Sequence, residues 1–275
     1  GFIGSHLVEA LVSTGNNRVI SLDNYSTGSI ENHRPGAEYI EGHTRDIAEL
    51  SPVVPDVLFH LGEYSRVERS FEDTELVWDL NKTGTFGVVE YCRHNDVKMV
   101  YAGSSTKFAD GGLGRDQSPY AWTKATNTEL VMNYGRWFGL RYAITYFYNV
   151  YGPREIADGA YATVLGIFRR QHASGQALTV VAPGTQRRNF THVEDIVRGL
   201  ILVGKQGFGD EYGLGAEESH SVIEIAEMFG AEIKMLEERK GNRMNAHLDI
   251  EKSKLLGWRA ERLVEDYIRG VLSHP

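Results

Sequence analysis

Short apolar runs rich in β-branched residues alternate with helical stretches through the first half of this chain. That alternation restricts its fold more than any other feature. Val19-Ile20-Ser21-Leu22-Asp23 reads as a strand ending on an acid. Asp56-Val57-Leu58-Phe59-His60-Leu61, Lys98-Met99-Val100-Tyr101-Ala102 and Arg141-Tyr142-Ala143-Ile144-Thr145-Tyr146-Phe147 read as three further strands. Between them, residues 75–94 place Val77, Leu80, Phe86, Val89 and Cys92 at helical spacing, and Tyr120 to Phe138 forms a second helical stretch. Strands alternating with helices of this length build βαβ units, so a parallel sheet covered on both faces is expected. After Pro153 the pattern loosens into helices with short strands such as Leu178-Thr179-Val180-Val181, and it closes on helices near 222–228 and 263–272. Residues 1–150 are expected to form one unit and 151–275 mainly a smaller lobe, with the boundary near 149–154.

Composition removes several classes of function. Lys and Arg number 29 against 37 Asp and Glu, a formal charge of −8. A nucleic-acid binder would instead carry a basic stripe or domain. No run reaches the roughly 18 apolar residues that a membrane span needs. A lone cysteine, Cys92, excludes a disulfide framework and a multi-cysteine metal centre, and fits a reducing cytoplasm. None of the ten histidines forms a H-x-H or H-x-x-x-H pair, so no metal site is expected. His60 and Cys92 read as core residues. The chain opens inside a glycine motif, without the strand that ought to precede it, and reads as cut short there.

That opening motif carries chemistry. Gly1-Phe2-Ile3-Gly4 is part of a G-x-x-G-x-x-G turn leading into a helix. Glycines there let the backbone approach a pyrophosphate seated on the positive end of the helix dipole. Asp23 follows at about the spacing where an acid receives a ribose diol. It would repel a 2′-phosphate, and Asn24 adds no positive charge, so NAD is favoured over NADP. Tyr120 and Lys124 lie at i and i+4 and share a helix face. An ammonium there stabilises a phenolate on the tyrosine, the form a general base needs. Ser104 and Ser105 follow a buried strand, at the carboxyl edge where open α/β sheets place ligands.

Further segments join these motifs: the opening Gly1 to Leu11, Asp23-Asn24, Arg45-Asp46-Ile47, His60-Leu61-Gly62, Asn81-x-x-Gly84-Thr85, Tyr120-Ala-Trp-Thr-Lys124, Asn149-Val-Tyr-Gly-Pro-Arg154, Arg188-Asn-Phe-Thr-His-Val-Glu-Asp195 and Leu255-Leu256-Gly257-Trp258. Together they resemble the extended short-chain dehydrogenase/reductases of the NAD-dependent epimerase/dehydratase family, which act on nucleotide sugars. The resemblance implies a Rossmann-type doubly wound parallel sheet with a smaller C-terminal α/β substrate lobe. It implies NAD held by Gly1, Phe2, Ile3, Gly4, Asp23, Asn24, Asp46, Ile47, Leu61, Gly62, Tyr120 and Lys124. Ser105, Tyr120 and Lys124 would be catalytic, with Tyr120 taking the sugar hydroxyl proton. Ser105, Thr106, Asn149, Arg188 and Arg239 would hold a nucleotide sugar, a UDP-sugar above all.

The resemblance also implies a cytoplasmic homodimer joined through helices near 81–94 and 120–138. The aromatics Trp122, Tyr134, Trp137 and Phe138 fit that interface or core packing equally well. The expected reaction is epimerisation at the sugar C4. The alternatives are a dehydratase, decarboxylase or reductase of the same family, or a non-catalytic NAD-binding module. Several positions depart from the family pattern. Thr106-Lys107 stands where dehydratases carry Asp-Glu, and Phe108-Ala109-Asp110 replaces V-Y-G. The stretch between Phe108 and Tyr120 is shorter than usual. Glu63 and Tyr64 replace smaller or amide residues, which leaves Glu63 as a group that could support an elimination.

Overall fold

The computed structural model describes residues 1–237 and 248–273, with the side chains of all of these except 107 and 109–112. Val19–Asp23 (β1) pairs in parallel with Ala37–Glu41 (β2). Val57–His60 (β3), Lys98–Ser104 (β4) and Tyr142–Phe147 (β5) form a second parallel set. Leu178–Val181 (β6) lies in the smaller lobe, and Gly209–Leu214 (β7) returns to the far side of β5. Ile233–Leu236 (β8) then pairs with β6. The larger sheet therefore runs β7-β5-β4-β3. Among the described residues, no strand pairing joins β1 and β2 to the larger sheet.

The helices are Phe2–Ser13 (α1), Gly84–His94 (α2), Pro119–Phe138 (α3), Val164–Ala173 (α4), Val193–Gln206 (α5), Val222–Met228 (α6) and Val264–Ser273 (α7). Alternation along β4 decides which helices cover which face. Met99 and Tyr101 point into a core with Val88, Val89 and Cys92 of α2 and Val131 and Tyr134 of α3. Val100 points the other way, to Leu7 of α1 and Ile196, Leu200 and Val203 of α5. Every residue of β4 is buried, as a strand covered on both faces requires. This is the doubly wound α/β sheet expected from the sequence.

The close approach of α5 to β7 depends on Gly199. A Cβ there would lie 2.6 Å from Leu214 Cδ2 and 2.8 Å from Trp258 Nε1. A third core joins Leu165, Phe168, Leu178, Val180, Ile225, Phe229 and Ile268 in the smaller lobe. Residues past 150 thus serve both units. The helix expected over 75–94 is divided into Thr74–Val77, a π-helical turn Trp78–Thr83, and α2. No helix among the described residues is long and apolar enough to cross a membrane.

Candidate active site

The position of α3 is set by its ends. Ser118 caps it, its Oγ accepting from Ala121 N at 3.1 Å, Pro119 occupies the first turn, and Gly139 closes it at φ 72°. A Ser cap, an N-terminal Pro and a C-terminal Gly are the preferred residues at those places. Tyr120 therefore stands on the first turn and Lys124 one turn later. The Tyr120 hydroxyl donates to Ser104 Oγ at 3.2 Å, and Ser104 Oγ lies 2.9 Å from Thr106 Oγ1. The serine facing the tyrosine is thus Ser104, the last residue of β4, one position before Ser105, which opens the 3-10 helix Ser105–Asp116.

Lys124 is buried. Its Nζ donates to the Ala102 carbonyl and pairs with the Glu63 carboxylate, 4.6 Å from the centroid of the Tyr101 ring. Glu63 Oε1 accepts from Thr85 Oγ1 at 2.7 Å, Asn127 Nδ2 at 2.9 Å and Tyr101 Oη at 3.1 Å. Burial would raise the Glu63 carboxyl, but the Lys124 ammonium and the hydrogen bonds outweigh it and hold the group below its ordinary value. Glu63 is therefore ionised and fully engaged, which removes it as a free acid–base group for an elimination. His60 is pushed down to about 4 by burial and is neutral. Its Nε2 lies 2.9 Å from Thr85 Oγ1. Thr85 gives its one hydroxyl proton to Glu63, so the proton of His60 sits on Nε2.

Asn81, in the π-helical turn, holds this frame in place. Its Oδ1 accepts from Tyr64 N at 2.7 Å and its Nδ2 donates to Thr123 Oγ1 at 2.9 Å. The sequence reading quotes Thr85 in a motif without giving it a role and does not single out Asn127. Asn127 carries a usable signal, since it follows Lys124 by three positions on the same helix face.

A cleft runs past the carboxyl ends of β1 and β3. Gly1, Phe2, Ile3, Gly4, Asp23, Asn24, Ile47, Leu61, Gly62, Tyr120, Lys124 and Asn149 all line it. Asp46 does not, and its carboxylate pairs with Arg45 at 3.5 Å. The residues present fit a dinucleotide. A Cβ at Gly1 or Gly4 would meet no atom within 4 Å, so the start of α1 is open to a pyrophosphate. Thr44 Oγ1 is buried with no hydrogen-bond partner and belongs to a residue of the cleft wall. The Asp23 carboxylate accepts from Tyr25 N at 2.8 Å, at the carboxyl end of β1.

The expected substrate contacts divide. Asn149 takes a left-handed backbone at φ 36° on the cleft wall. Thr106 is buried beside Ser104. Arg188 stands in the second lobe, on the short strand Arg187–Arg188 paired with His220–Ser221, and is not part of the cleft wall. Arg239 lies outside the described residues, as does the side chain of Lys107. One group of metal-capable side chains, Glu218, His220 and Glu265, lies apart from the cleft.

A tyrosine and a lysine on one helix face, beside a cleft that fits a dinucleotide on a doubly wound sheet, define a nicotinamide-dependent enzyme of the dehydrogenase/reductase type. The family model described as NAD dependent epimerase/dehydratase family matches residues 1–215. A putative UDP-glucose 4-epimerase of Methanocaldococcus jannaschii is 30% identical, over 99% of this chain and 95% of that protein. UDP-glucuronic acid decarboxylase 3 of Arabidopsis thaliana is also 30% identical, over 94% of this chain and 81% of its own length. The UDP-glucose 4-epimerase of Thermus thermophilus, solved with NAD, superimposes with a TM-score of 0.87. That match covers 100% of this chain and 96% of the other, at 28% identity. The chain belongs to the NAD-dependent epimerase/dehydratase family, and NAD is its cofactor. It is an enzyme of nucleotide sugars.

Proposed function

We propose that this enzyme is an epimerase that inverts C4 of a UDP-linked sugar. The observation that carries this reading is the state of the carboxylates. Asp23, Asp56 and Glu63 line the cleft. Asp23 ends β1 and Asp56 precedes β3, so among the described residues Glu63 is the one beside the catalytic pair. Four donors hold it as an anion. Elimination of water needs a base for the C5 proton and an acid for the departing hydroxyl, and Ser104, Ser105 and Thr106 supply neither near neutral pH. Epimerisation needs only a group that takes and returns the hydroxyl proton. The similar T. thermophilus protein, named as a UDP-glucose 4-epimerase, and the M. jannaschii protein, named as a putative one, support the same choice.

Bound NAD supplies a hydride acceptor that can return what it takes. The chain's own residues do the remainder. Tyr120 takes the sugar hydroxyl proton, with its oxygen aimed by Ser104. Lys124, paired with Glu63, holds the nicotinamide ribose from the next turn of α3. Ser105, Thr106 and Asn149 hold the sugar end. Arg188 and Arg239 hold the diphosphate, since planar guanidinium forks match phosphate oxygens. Two copies of the chain form a dimer through α2 and α3. The test of the central residue is Tyr120→Phe. It should keep the fold and the bound NAD while turnover of a UDP-hexose drops by about a hundredfold or more, the usual size of a general-base contribution. An undiminished rate would place the base elsewhere.

A further inference from the structure

Removing a carboxylate and an ammonium from water is costly, and an apolar pair of similar volume often holds elements together as well or better. Glu63 and Lys124 nonetheless face each other with side chains only 4% and 5% exposed. The loop after β3 supplies the carboxylate, and Tyr101 of β4, Thr85 of α2 and Asn127 of α3 converge on its Oε1 at 2.7–3.1 Å. Such a fully satisfied network fixes one arrangement. Glu63, Lys124 and Tyr120 all line the dinucleotide cleft. The other titratable groups around the pair do not take over its balance. His60 is neutral. Lys82 is turned to Asn127 Oδ1 at 2.7 Å and Thr126 Oγ1 at 3.1 Å. Arg66 donates to the Tyr161 and Ser65 carbonyls. Among the described residues, Glu63 is the anion in contact with Lys124.

We propose that Glu63 is a positioning residue that holds Lys124 against the Ala102 carbonyl and cancels its charge, so that the site favours oxidised, cationic nicotinamide over the reduced, neutral form. An unbalanced ammonium in a water-poor cleft repels a cationic ring and leaves a neutral one untouched. The Glu63 carboxylate removes that bias. An epimerase gains from this, because each turnover has to begin with oxidised cofactor. The inference rests on the reading that Lys124 stands at the nicotinamide end of the cleft.

The test is spectroelectrochemical titration of the cofactor-loaded protein, followed by the near-ultraviolet absorbance of reduced nicotinamide. Glu63→Gln keeps the side chain's shape and removes its charge. It should shift the ratio of oxidised to reduced affinity at least about tenfold toward the reduced form, a rise of roughly 30 mV for a two-electron couple. Lys124→Gln should shift the potential the opposite way by a similar amount. The double variant leaves no lone buried charge and stays measurable even if one single variant fails to fold. It should return to within about threefold of the wild type, roughly 15 mV. A Glu63→Gln potential equal to wild type, with Lys124→Gln shifted, overturns the role given to Glu63. Unshifted potentials in both single variants overturn the placement of Lys124 instead. A double variant as far displaced as either single variant shows a structural effect and overturns the charge-balance account.

Discussion

His60 ends an apolar strand, and its sequence context gives it a core position. The structure agrees on burial and adds a consequence for acid stability. The folded value of about 4 lies below the ordinary 6.5, so between those values the unfolded chain binds the extra proton. The contribution of His60 is complete above about pH 6.5 and is lost as the pH falls toward 4, an effect of up to about 3 kcal/mol. Denaturant midpoints of wild type and His60→Gln, measured across that window, should show a shallower pH slope for the variant. Parallel slopes would contradict the assignment. At this scale Tyr120 and Lys124 were legible, because their spacing and their order after the serine pair are local facts. Glu63 showed only as a departure from the family pattern. Its role depends on partners 22, 38, 61 and 64 positions away in sequence. The choice between Ser104 and Ser105 turns on where β4 gives way to the 3-10 helix, a one-residue distinction that strand propensity does not resolve.

The strands near 19–23, 57–60, 98–104 and 142–147 were all legible, since buried parallel strands read as continuous apolar runs. The π-helical turn was not, because apolar spacing registers only the average period. The return of β7 to the sheet left no local signal either, as its partner β5 lies more than 60 positions earlier. The α3 aromatics divide by exposure. Tyr134 is buried in the core, whereas Trp122, Trp137 and Phe138 are 40%, 63% and 55% exposed. Trp78, 54% exposed, stacks on Trp122 with ring centroids 6.0 Å apart, and Phe86 of α2 is exposed as well. Exposed aromatics on these two helices are what the proposed pairing would cover. Sedimentation of the wild-type protein should therefore give a dimer, and Trp122→Glu should shift it to the monomer. A monomeric wild type would contradict the proposed pairing through α2 and α3.

At the scale of the whole molecule, the cleft gathers residues from distant segments: the glycine turn at the start of α1, Asp23 at the end of β1, and the Tyr120–Lys124 face of α3. Parallel strands bring them together, and the alternation of strands and helices already implied parallel strands. Arg188 remains in the second lobe, away from the cleft wall, and how that lobe meets a substrate was not legible from spacing. Relatives named as an epimerase and as a decarboxylase are each 30% identical to this chain, so family membership does not select the reaction. In the proposed reading the choice falls to the groups beside the sugar, where, among the described residues, four donors hold Glu63 and Ser104, Ser105 and Thr106 carry no carboxylate. The most direct test is NMR of the product formed from a UDP-hexose by the NAD-loaded enzyme in heavy water. Inversion at C4 with every carbon-bound hydrogen retained is the predicted result. Deuterium at C5, a 4-keto-6-deoxy product or loss of a carboxyl carbon from a uronic acid in place of inversion would contradict it.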